Sequence, residues 1–363
     1  MVGLGFIARL SAAALLFTSS LASPIAKRAA ATPSLSGDAI VIGGGTYPRA
    51  NFLQDGTIIG TYSATDGDTK NIVVVQSTDG GNSWTQVGTV ASADKNTRDL
   101  DNPYPIQLPS GRILVAMRNH DKTLNSDGSS TYTFYRITVC YSDDNGATWS
   151  YLSTPASDPA NGVNGSWEPF FRIANDGSTL QLYYSRENSA IDQDSLMRTS
   201  TDGGATWTSA TVISGGDTDN TRDGMLGVTQ VSGDNLIAVF ESIPSGSTFS
   251  VYSVTSSDDG STWGNRQTVY AAPSGFNAQA PQVTNVGGTL VVSFQTDEDL
   301  SGQNQKNEAA KIVTSTDGGS SWGNKLTFSP AVSNWAGLLT IDDTSLFGLA
   351  DHSGSKAQKI TLA

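Results

Sequence analysis

Two glutamates in distant parts of the chain are the residues best suited to do chemistry. The sequence contains only five glutamates; Glu168 opens a strand-like run, 167–173, and Glu241 directly follows another, 236–240. Glycoside hydrolysis needs two such carboxyl groups, about 5–5.5 Å apart in a retaining mechanism and further apart in an inverting one. Their positions fit equally well with structural salt bridges to Arg186 and Arg222.

Other chemistries and partners fit the composition less well. The chain has two histidines, His120 and His352, a single cysteine, Cys140, and no clustered spacing of metal ligands. We therefore expect no metal site and no cofactor, with the histidines acting as hydrogen-bonding residues and Cys140 as a small buried residue. The net charge of −13 argues against a nucleic acid or an anionic membrane as partner.

An internal repeat indicates how the two glutamates are positioned. The pattern Ser-x-Asp-x-Gly-x-Thr/Ser-Trp, an Asp-box, occurs five times, ending at Trp84, Trp149, Trp207, Trp263 and Trp322. Asp accepts hydrogen bonds from nearby backbone N–H groups, Gly adopts turn conformations and Trp provides an apolar anchor, so each copy predicts a tight turn between two strands. Regular recurrence indicates one repeated supersecondary unit. Because copies spread around a ring cannot converge on one site, we interpret these aspartates as turn residues rather than calcium ligands.

The segments between the boxes predict the rest of the fold. Strand, turn, strand, loop, strand, box and strand recur in that order, whereas the tail after the fifth box provides only three strands. The N-terminal run 39–42 is a strand without a partner, and pairing it with the tail would complete a sixth unit and close the ring. We therefore predict an all-β, six-bladed β-propeller formed by one domain, residues 34–363.

The N-terminal residues predict export. Residues 1–22 have Arg9 ahead of a short apolar segment and a small-residue cleavage pattern, as in a secretory signal peptide. Residues 23–28 end in a dibasic pair and predict a propeptide. The apolar segment is too short for a membrane anchor, so we expect a secreted, extracellular protein, and we expect a monomer.

The predicted topology selects one face of the propeller for binding. In a four-stranded antiparallel blade, the start of strand one, the end of strand two and the start of strand three share a face, and strand one lies closest to the central channel. Both Glu168 and Glu241 lie on this face. The substrate-binding candidates on the same face are Arg49, Asn102, Tyr104, Arg118, Trp167, Arg186, Arg222, Asp223, Gln279 and Trp335.

Asp-boxes on a six-bladed propeller resemble the sialidase superfamily. A sialidase is expected to have an arginine triad for the substrate carboxylate and an Arg-Ile-Pro-like motif near its start. The segment 47–50, Tyr-Pro-Arg-Ala, fits that motif only in part, although four of the candidates above are arginines that could provide positive charge.

A second resemblance is more specific. Ser-Trp-Glu-Pro-Phe-Phe at 166–171, together with Val-Phe-Glu-Ser at 239–242, is similar to the secreted fungal exo-arabinanases of glycoside hydrolase family 93. This resemblance implies a retaining exo-α-1,5-L-arabinanase that releases arabinobiose from the non-reducing end of linear arabinan, with Glu168 as nucleophile and Glu241 as general acid/base. The tyrosine expected beside the nucleophile from the last blade is replaced by Trp335, which we interpret as a sugar-stacking residue. A sialidase and a non-catalytic carbohydrate-binding propeller are the alternatives.

Overall fold

A computed structural model describes residues 32–162, 164–216, 221–243 and 248–363. The predicted signal peptide and propeptide, residues 1–28, lie outside these residues. All regular secondary structure in the described residues is β, with 24 strands. Within the same residues, we find no helix of the length and apolarity needed to span a membrane.

The strands follow one another at short intervals. The first twelve are β1 (Pro33–Gly43), β2 (Thr46–Phe52), β3 (Ile58–Asp66), β4 (Thr69–Ser77), β5 (Thr85–Asp94), β6 (Arg98–Gln107), β7 (Ile113–Leu124), β8 (Ser130–Ser142), β9 (Ser150–Pro159), β10 (Ser166–Ile173), β11 (Leu180–Ser189) and β12 (Asp192–Ser200). The other twelve are β13 (Thr211–Ser214), β14 (Gly224–Ser232), β15 (Asn235–Ser242), β16 (Ser250–Ser256), β17 (Gly264–Tyr270), β18 (Ala278–Val286), β19 (Thr289–Thr296), β20 (Ala309–Ser315), β21 (Gly323–Ser329), β22 (Asn334–Asp342), β23 (Ser345–Asp351) and β24 (Ser355–Leu362).

These strands form six four-stranded antiparallel sheets, so the predicted six-bladed β-propeller is confirmed. Blades one to five each consist of four consecutive strands, beginning with β2, β6, β10, β14 and β18. The sixth blade has the order β1-β24-β23-β22, so it combines the two ends of the described chain. Within it Leu35 pairs with Ile360, and Ile40 pairs with Ala357.

The hydrophobic core lies between the blades. One cluster joins Ile59 and Val74 of blade one to Leu100 and Val115 of blade two, and similar clusters join the later pairs of blades. A middle strand such as β15 is covered on both faces, and its residues 236–240 are all buried and apolar. This explains why the sequence shows unbroken apolar runs at these positions rather than strict alternation.

Each Asp-box is a hydrogen-bonded turn between the third and fourth strands of its blade. In the second box, the Ser142 hydroxyl donates to Asp144 at 2.7 Å, and Asp144 also accepts the backbone N–H of Thr148 at 2.9 Å and its hydroxyl at 2.6 Å. The same bonds recur in the other four boxes. The Thr148 hydroxyl is the main cause that lowers the pKa of Asp144 to about 2. The box aspartates are therefore turn residues, as predicted.

The boxes also connect neighbouring blades. Trp149 of the second box packs against the cluster between blades one and two, and its indole N–H donates to the carbonyl of Gly146 at 2.9 Å. The Gly146 carbonyl lies so close to Gly88, in the outer strand of blade one, that a Cβ atom on Gly88 would be 2.2 Å from its oxygen. Backbone approach of this kind requires glycine.

We predict that Gly88→Ala destabilises the protein by about 1–3 kcal/mol, because the added methyl group overpacks the contact between the first two blades. The measurement is the melting temperature followed by circular dichroism. Gly264→Ala is the matched control, since Gly264 also lies in a fourth strand, and its added Cβ would meet no atom within 4 Å. Equal melting temperatures for the two variants would contradict the proposed contact.

Candidate active site

A β-bulge near the start of the innermost strand recurs in all six blades. In each of these strands two residues near its beginning stand opposite one residue of the neighbouring strand, so the pairing register shifts by one residue. The first of the two bulged residues has a positive φ, between 42° and 59°, a conformation that costs energy for non-glycine residues. These six bulge residues are Tyr47, Asn102, Glu168, Met225, Ala280 and Trp335.

The six bulges form an asymmetric mouth of the central channel. Tyr47, Met225 and Ala280 pack together with Trp335 as an apolar cluster, which joins blades one, four, five and six. The Tyr47 and Trp335 rings lie 5.8 Å apart. Blades two and three contribute the polar residues Asn102 and Glu168 instead. The mouth therefore has an apolar wall on one side and hydrogen-bonding groups on the other, an arrangement typical of ligand sites.

Glu168 and Glu241 both lie in this mouth, and each keeps part of its surface accessible. Glu241 is the second-last residue of β15 and pairs with Gly224, the residue before the bulge of blade four. One of its carboxylate oxygens accepts the backbone N–H of Ala280, from the bulge of blade five, at 2.6 Å. Three neighbouring blades therefore supply the two carboxyl groups and the N–H group that holds one of them.

The two carboxyl groups interact electrostatically. Burial, followed by the like charge of Glu241, raises the pKa of Glu168 to about 8, against the opposing effect of Arg118 and Arg49. Burial also raises the pKa of Glu241 to about 7, against the Ala280 N–H and the charge of Arg222. Two coupled carboxyl groups of this kind retain one proton between them at pH values where an ordinary glutamate is ionised.

Neither carboxyl group is neutralised by a salt bridge within the described part of the chain. Arg222 pairs with Glu187 rather than with Glu241, and it donates to Gln193 at 2.8 Å. Arg186 donates to the amide oxygen of Asn188 at 3.1 and 3.2 Å. The alternative interpretation, in which Glu168 and Glu241 form structural salt bridges with Arg186 and Arg222, is therefore not supported in the described residues.

The other two candidate arginines, Arg118 and Arg49, form contacts within the protein. Arg118 contacts the carboxylates of Asp99 and Asp101, each at 3.2 Å. Arg49 is buried, lies over the Tyr47 ring at 4.0 Å and donates to the carbonyl groups of Pro48 and Trp335. Charge on two of the four arginines, Arg118 and Arg222, is thus balanced by carboxylates, whereas Arg49 and Arg186 have no carboxylate partner in the described residues.

Several buried polar atoms have no hydrogen-bond partner among the described residues. They include Nη2 of Arg49 and Oδ1 of Asn102, in residues that are each 3% exposed. Buried polar groups without a protein partner are rare and call for a bound water or ligand. A donor and an acceptor of this kind match the hydroxyl groups of a sugar.

Aromatic side chains flank Glu168. Trp167 is partly exposed, and the guanidinium of Arg118 lies 5.1 Å from its ring centre. His120 packs against Trp167 at 5.0 Å and bonds the carbonyl of Ser166 through Nε2 at 2.7 Å. Burial lowers the pKa of His120 to about 3, so this residue stays neutral and acts as a hydrogen-bonding support, as predicted.

The side chains of Tyr104 and Asp223 lie outside the mouth. Tyr104 lines the central channel below it, a cavity of about 230 Å³ bordered by all six innermost strands, and its ring packs on Phe170 at 4.4 Å. Asp223 is completely buried, and both its carboxylate oxygens bond the guanidinium of Arg266 in β17. The prediction that Asp223 binds substrate is wrong, because this partner in the outermost strand occupies the carboxylate.

Gln279 contacts Glu308, a residue that was not predicted from the sequence to belong to the site. Its side-chain amide donates to both carboxylate oxygens of Glu308, at 2.9 and 3.0 Å, so it forms an internal contact.

The bulge residues Tyr47, Met225 and Ala280 were not predicted from the sequence either. A signal for the bulges exists in the sequence, since proline follows the bulge residue in four blades, at Pro48, Pro103, Pro169 and Pro281. Proline suits a bulge, where a ladder hydrogen bond is already lost.

No group of three or more metal-ligating side chains is found in the described ranges. Cys140 is buried, and burial raises its pKa to about 11, which suits a core residue rather than a nucleophile.

Comparison with known families supports the repeat architecture. A family model described as a BNR repeat-like domain matches residues 56–223 and 193–329. The chain belongs to this family. A comparison with curated proteins gave no match.

Solved structures of similar fold include glycoside hydrolases. A family 93 α-L-arabinofuranosidase of Fusarium graminearum with arabinobiose is 22% identical, with a TM-score of 0.68 over 90% of this chain and 98% of that one. A Penicillium chrysogenum α-L-arabinanase complexed with arabinobiose is 18% identical, with a TM-score of 0.67 over 91% and 98%. A Hadza microbial sialidase is 18% identical, with a TM-score of 0.59 over 88% and 66%. The resemblance to family 93 is thereby confirmed as one of fold.

We predict that Glu241→Gln lowers the pKa of Glu168, because it removes the like charge that helps to raise it. The chain has only five glutamates, so selective ¹³C labelling of the glutamate carboxyl groups yields five signals that can be titrated by NMR. Asp143→Asn, an exposed change at a variable position of the second Asp-box, is the control and should leave the Glu168 midpoint unchanged. A Glu168 midpoint that is the same in Glu241→Gln and wild type would show that the two groups are not coupled.

Proposed function

We propose that the protein is a retaining exo-α-1,5-L-arabinanase that releases arabinobiose from the non-reducing end of linear arabinan. The main support is the carboxyl pair in the propeller mouth, Glu168 and Glu241, which is coupled, partly accessible and without a salt-bridge partner among the described residues. We also propose that it is secreted, on the basis of the N-terminal residues 1–22.

The charges around the pair favour a neutral sugar. A sialic acid carries a carboxylate, and its recognition requires arginines whose charge is not already paired. Here Arg118 contacts two aspartates and Arg222 contacts Glu187, which leaves only Arg49 and Arg186 of the four candidates without a carboxylate partner in the described residues, fewer than the expected triad. Two independent structures of similar fold are described with arabinobiose, a neutral sugar.

The proposed reaction has two steps, each with an oxocarbenium-ion-like transition state. In the first, the Glu168 carboxylate attacks the anomeric carbon while Glu241 donates its proton to the departing glycosidic oxygen. In the second, Glu241 takes a proton from water, the water oxygen attacks the anomeric carbon, and the bond to Glu168 breaks. Arabinobiose leaves with retained configuration, and both side chains return to their initial protonation states.

The proposed reaction needs Glu168 as a carboxylate and the shared proton on Glu241. The guanidinium groups of Arg118 and Arg49 favour the Glu168 carboxylate, whereas burial and the charge of Glu241 oppose it and raise the pKa of Glu168 to about 8. Glu241 has a pKa raised to about 7, which allows it to carry a proton near neutral pH and to accept one in the second step. Since a raised pKa means loss of the proton on going to higher pH, proton donation by Glu241 declines as the pH rises above this value.

Trp335 and Trp167 provide aromatic surfaces on opposite sides of the mouth. Each is partly exposed, and sugar rings stack on aromatic faces. Between them, Arg49 Nη2 is a donor and Asn102 Oδ1 an acceptor without a protein partner in the described residues. We propose that these groups orient the terminal arabinose units.

We predict that the purified protein releases arabinobiose from debranched arabinan, and that Glu168→Gln and Glu241→Gln each lower kcat by at least about 100-fold, as expected for loss of a nucleophile or an acid/base. Product is quantified by anion-exchange chromatography. Asp143→Asn, a change of the same charge far from the mouth, should retain wild-type activity.

Three outcomes would overturn this proposal. Turnover of a fluorogenic sialoside without turnover of arabinan would identify a sialidase. Binding of arabinan without the production of new reducing ends would identify a carbohydrate-binding propeller. Full activity in a folded Glu168→Gln or Glu241→Gln variant would remove that residue from the mechanism.

A further inference from the structure

A third glutamate, Glu308, is buried next to the mouth and has no part in the proposed reaction. It directly precedes β20 and is completely inaccessible to solvent. Its carboxylate accepts amide N–H groups from Gln279, at 2.9 and 3.0 Å, and from Gln295. No lysine or arginine in the described ranges forms a salt bridge with it.

The two glutamines connect Glu308 to two of the bulges. Gln279 directly precedes Ala280, whose N–H group holds Glu241 at 2.6 Å. Gln295 accepts the N–H of Trp335 through its amide oxygen at 2.6 Å. The bulges of blades five and six are therefore both held, through one glutamine each, by the same carboxyl group.

The comparison with another buried glutamate of blade five is informative. Glu298 is neutralised by Lys311 and Lys325, at 3.2 and 2.8 Å, and its pKa is lowered. Glu308 has no such cation, and burial together with the charges of Asp297 and Glu241 raises its pKa to about 8. A buried carboxyl group without a cation costs stability, which argues for a role other than stability.

We propose that Glu308 is a positioning residue that acts through Gln279 and Ala280 to hold Glu241 in place for proton transfer to the leaving group. This inference rests on the proposed function, which assigns the acid/base role to Glu241. Because the Ala280 N–H occupies one oxygen of Glu241, the orientation of that bond determines where the second oxygen points. Loss of the anchor lets the bulge shift and moves the proton away from the glycosidic oxygen.

The test compares leaving groups, because an acidic leaving group departs without a proton and does not need the general acid. The substrates are phenyl and 2,4-dinitrophenyl α-L-arabinobiosides, and the quantity measured is kcat/KM, which reports the first step. We expect Glu308→Ala to lower kcat/KM for the phenyl substrate by about 10- to 100-fold and for the dinitrophenyl substrate by less than about 3-fold. Glu308→Gln, which keeps an acceptor for the anchoring amides, should recover much of the loss.

The control is Glu298→Gln, which alters a buried glutamate of the same blade with lysine partners. It should lower the melting temperature, and any effect on kcat/KM should be the same for both substrates. Equal losses for the two substrates in Glu308→Ala, or wild-type rates for both, would overturn the proposal.

A second measurement does not depend on activity. In the ¹³C-labelled protein, Glu241→Gln should lower the titration midpoint of Glu308, since the charge of Glu241 is one cause that raises it. An unchanged Glu308 midpoint would show that the two groups are not neighbours and would overturn the positioning role even if arabinan is cleaved. If the wild-type protein cleaves no arabinobioside but the midpoint shifts, the proposed function fails while the contact between Glu308 and the mouth stands.

Discussion

A left-handed bulge at the start of each innermost strand is the constraint on which the mouth of this propeller depends. It places one side chain per blade around the channel, and only Glu168 among the six has a carboxyl group. Each bulge residue is a non-glycine in an unfavourable backbone conformation, so the surrounding structure must compensate. Hydrogen bonds to the bulges meet that requirement, such as those from Ala280 to Glu241 and from Trp335 to Gln295.

The opposite face of the propeller supplies rigidity. Each Asp-box closes the turn between the outer strands and packs a tryptophan into the cluster shared with the preceding blade. The sixth blade has no box, and there β1 pairs with β24 to join the two ends of the described chain. The mouth can therefore hold strained residues and buried carboxyl groups, because stability is provided by contacts between blades and at the other end of the strands.

The sequence predicted the repeat, the number of blades and the two mouth glutamates, because each depends on local patterns. The five boxes defined the blade register, and that register placed Glu168 at a strand start and Glu241 at a strand end. The partners of the rim residues were harder to predict. Asp223 pairs with Arg266, and Arg222 with Glu187, across strands whose side-chain directions no local pattern reveals. Glu308 was missed because it lies in a loop, and its role depends on two glutamines from other strands.

The proposed mechanism requires a covalent bond between Glu168 and the sugar. This bond can be detected by mass spectrometry of the protein after incubation with a 2-deoxy-2-fluoro α-L-arabinobiosyl fluoride, which slows the second step of a retaining mechanism. We expect the protein to gain one 2-deoxy-2-fluoro-arabinobiosyl unit, on the peptide that contains Glu168. An adduct on a different residue, or hydrolysis of arabinan with inverted configuration and no adduct, would contradict it.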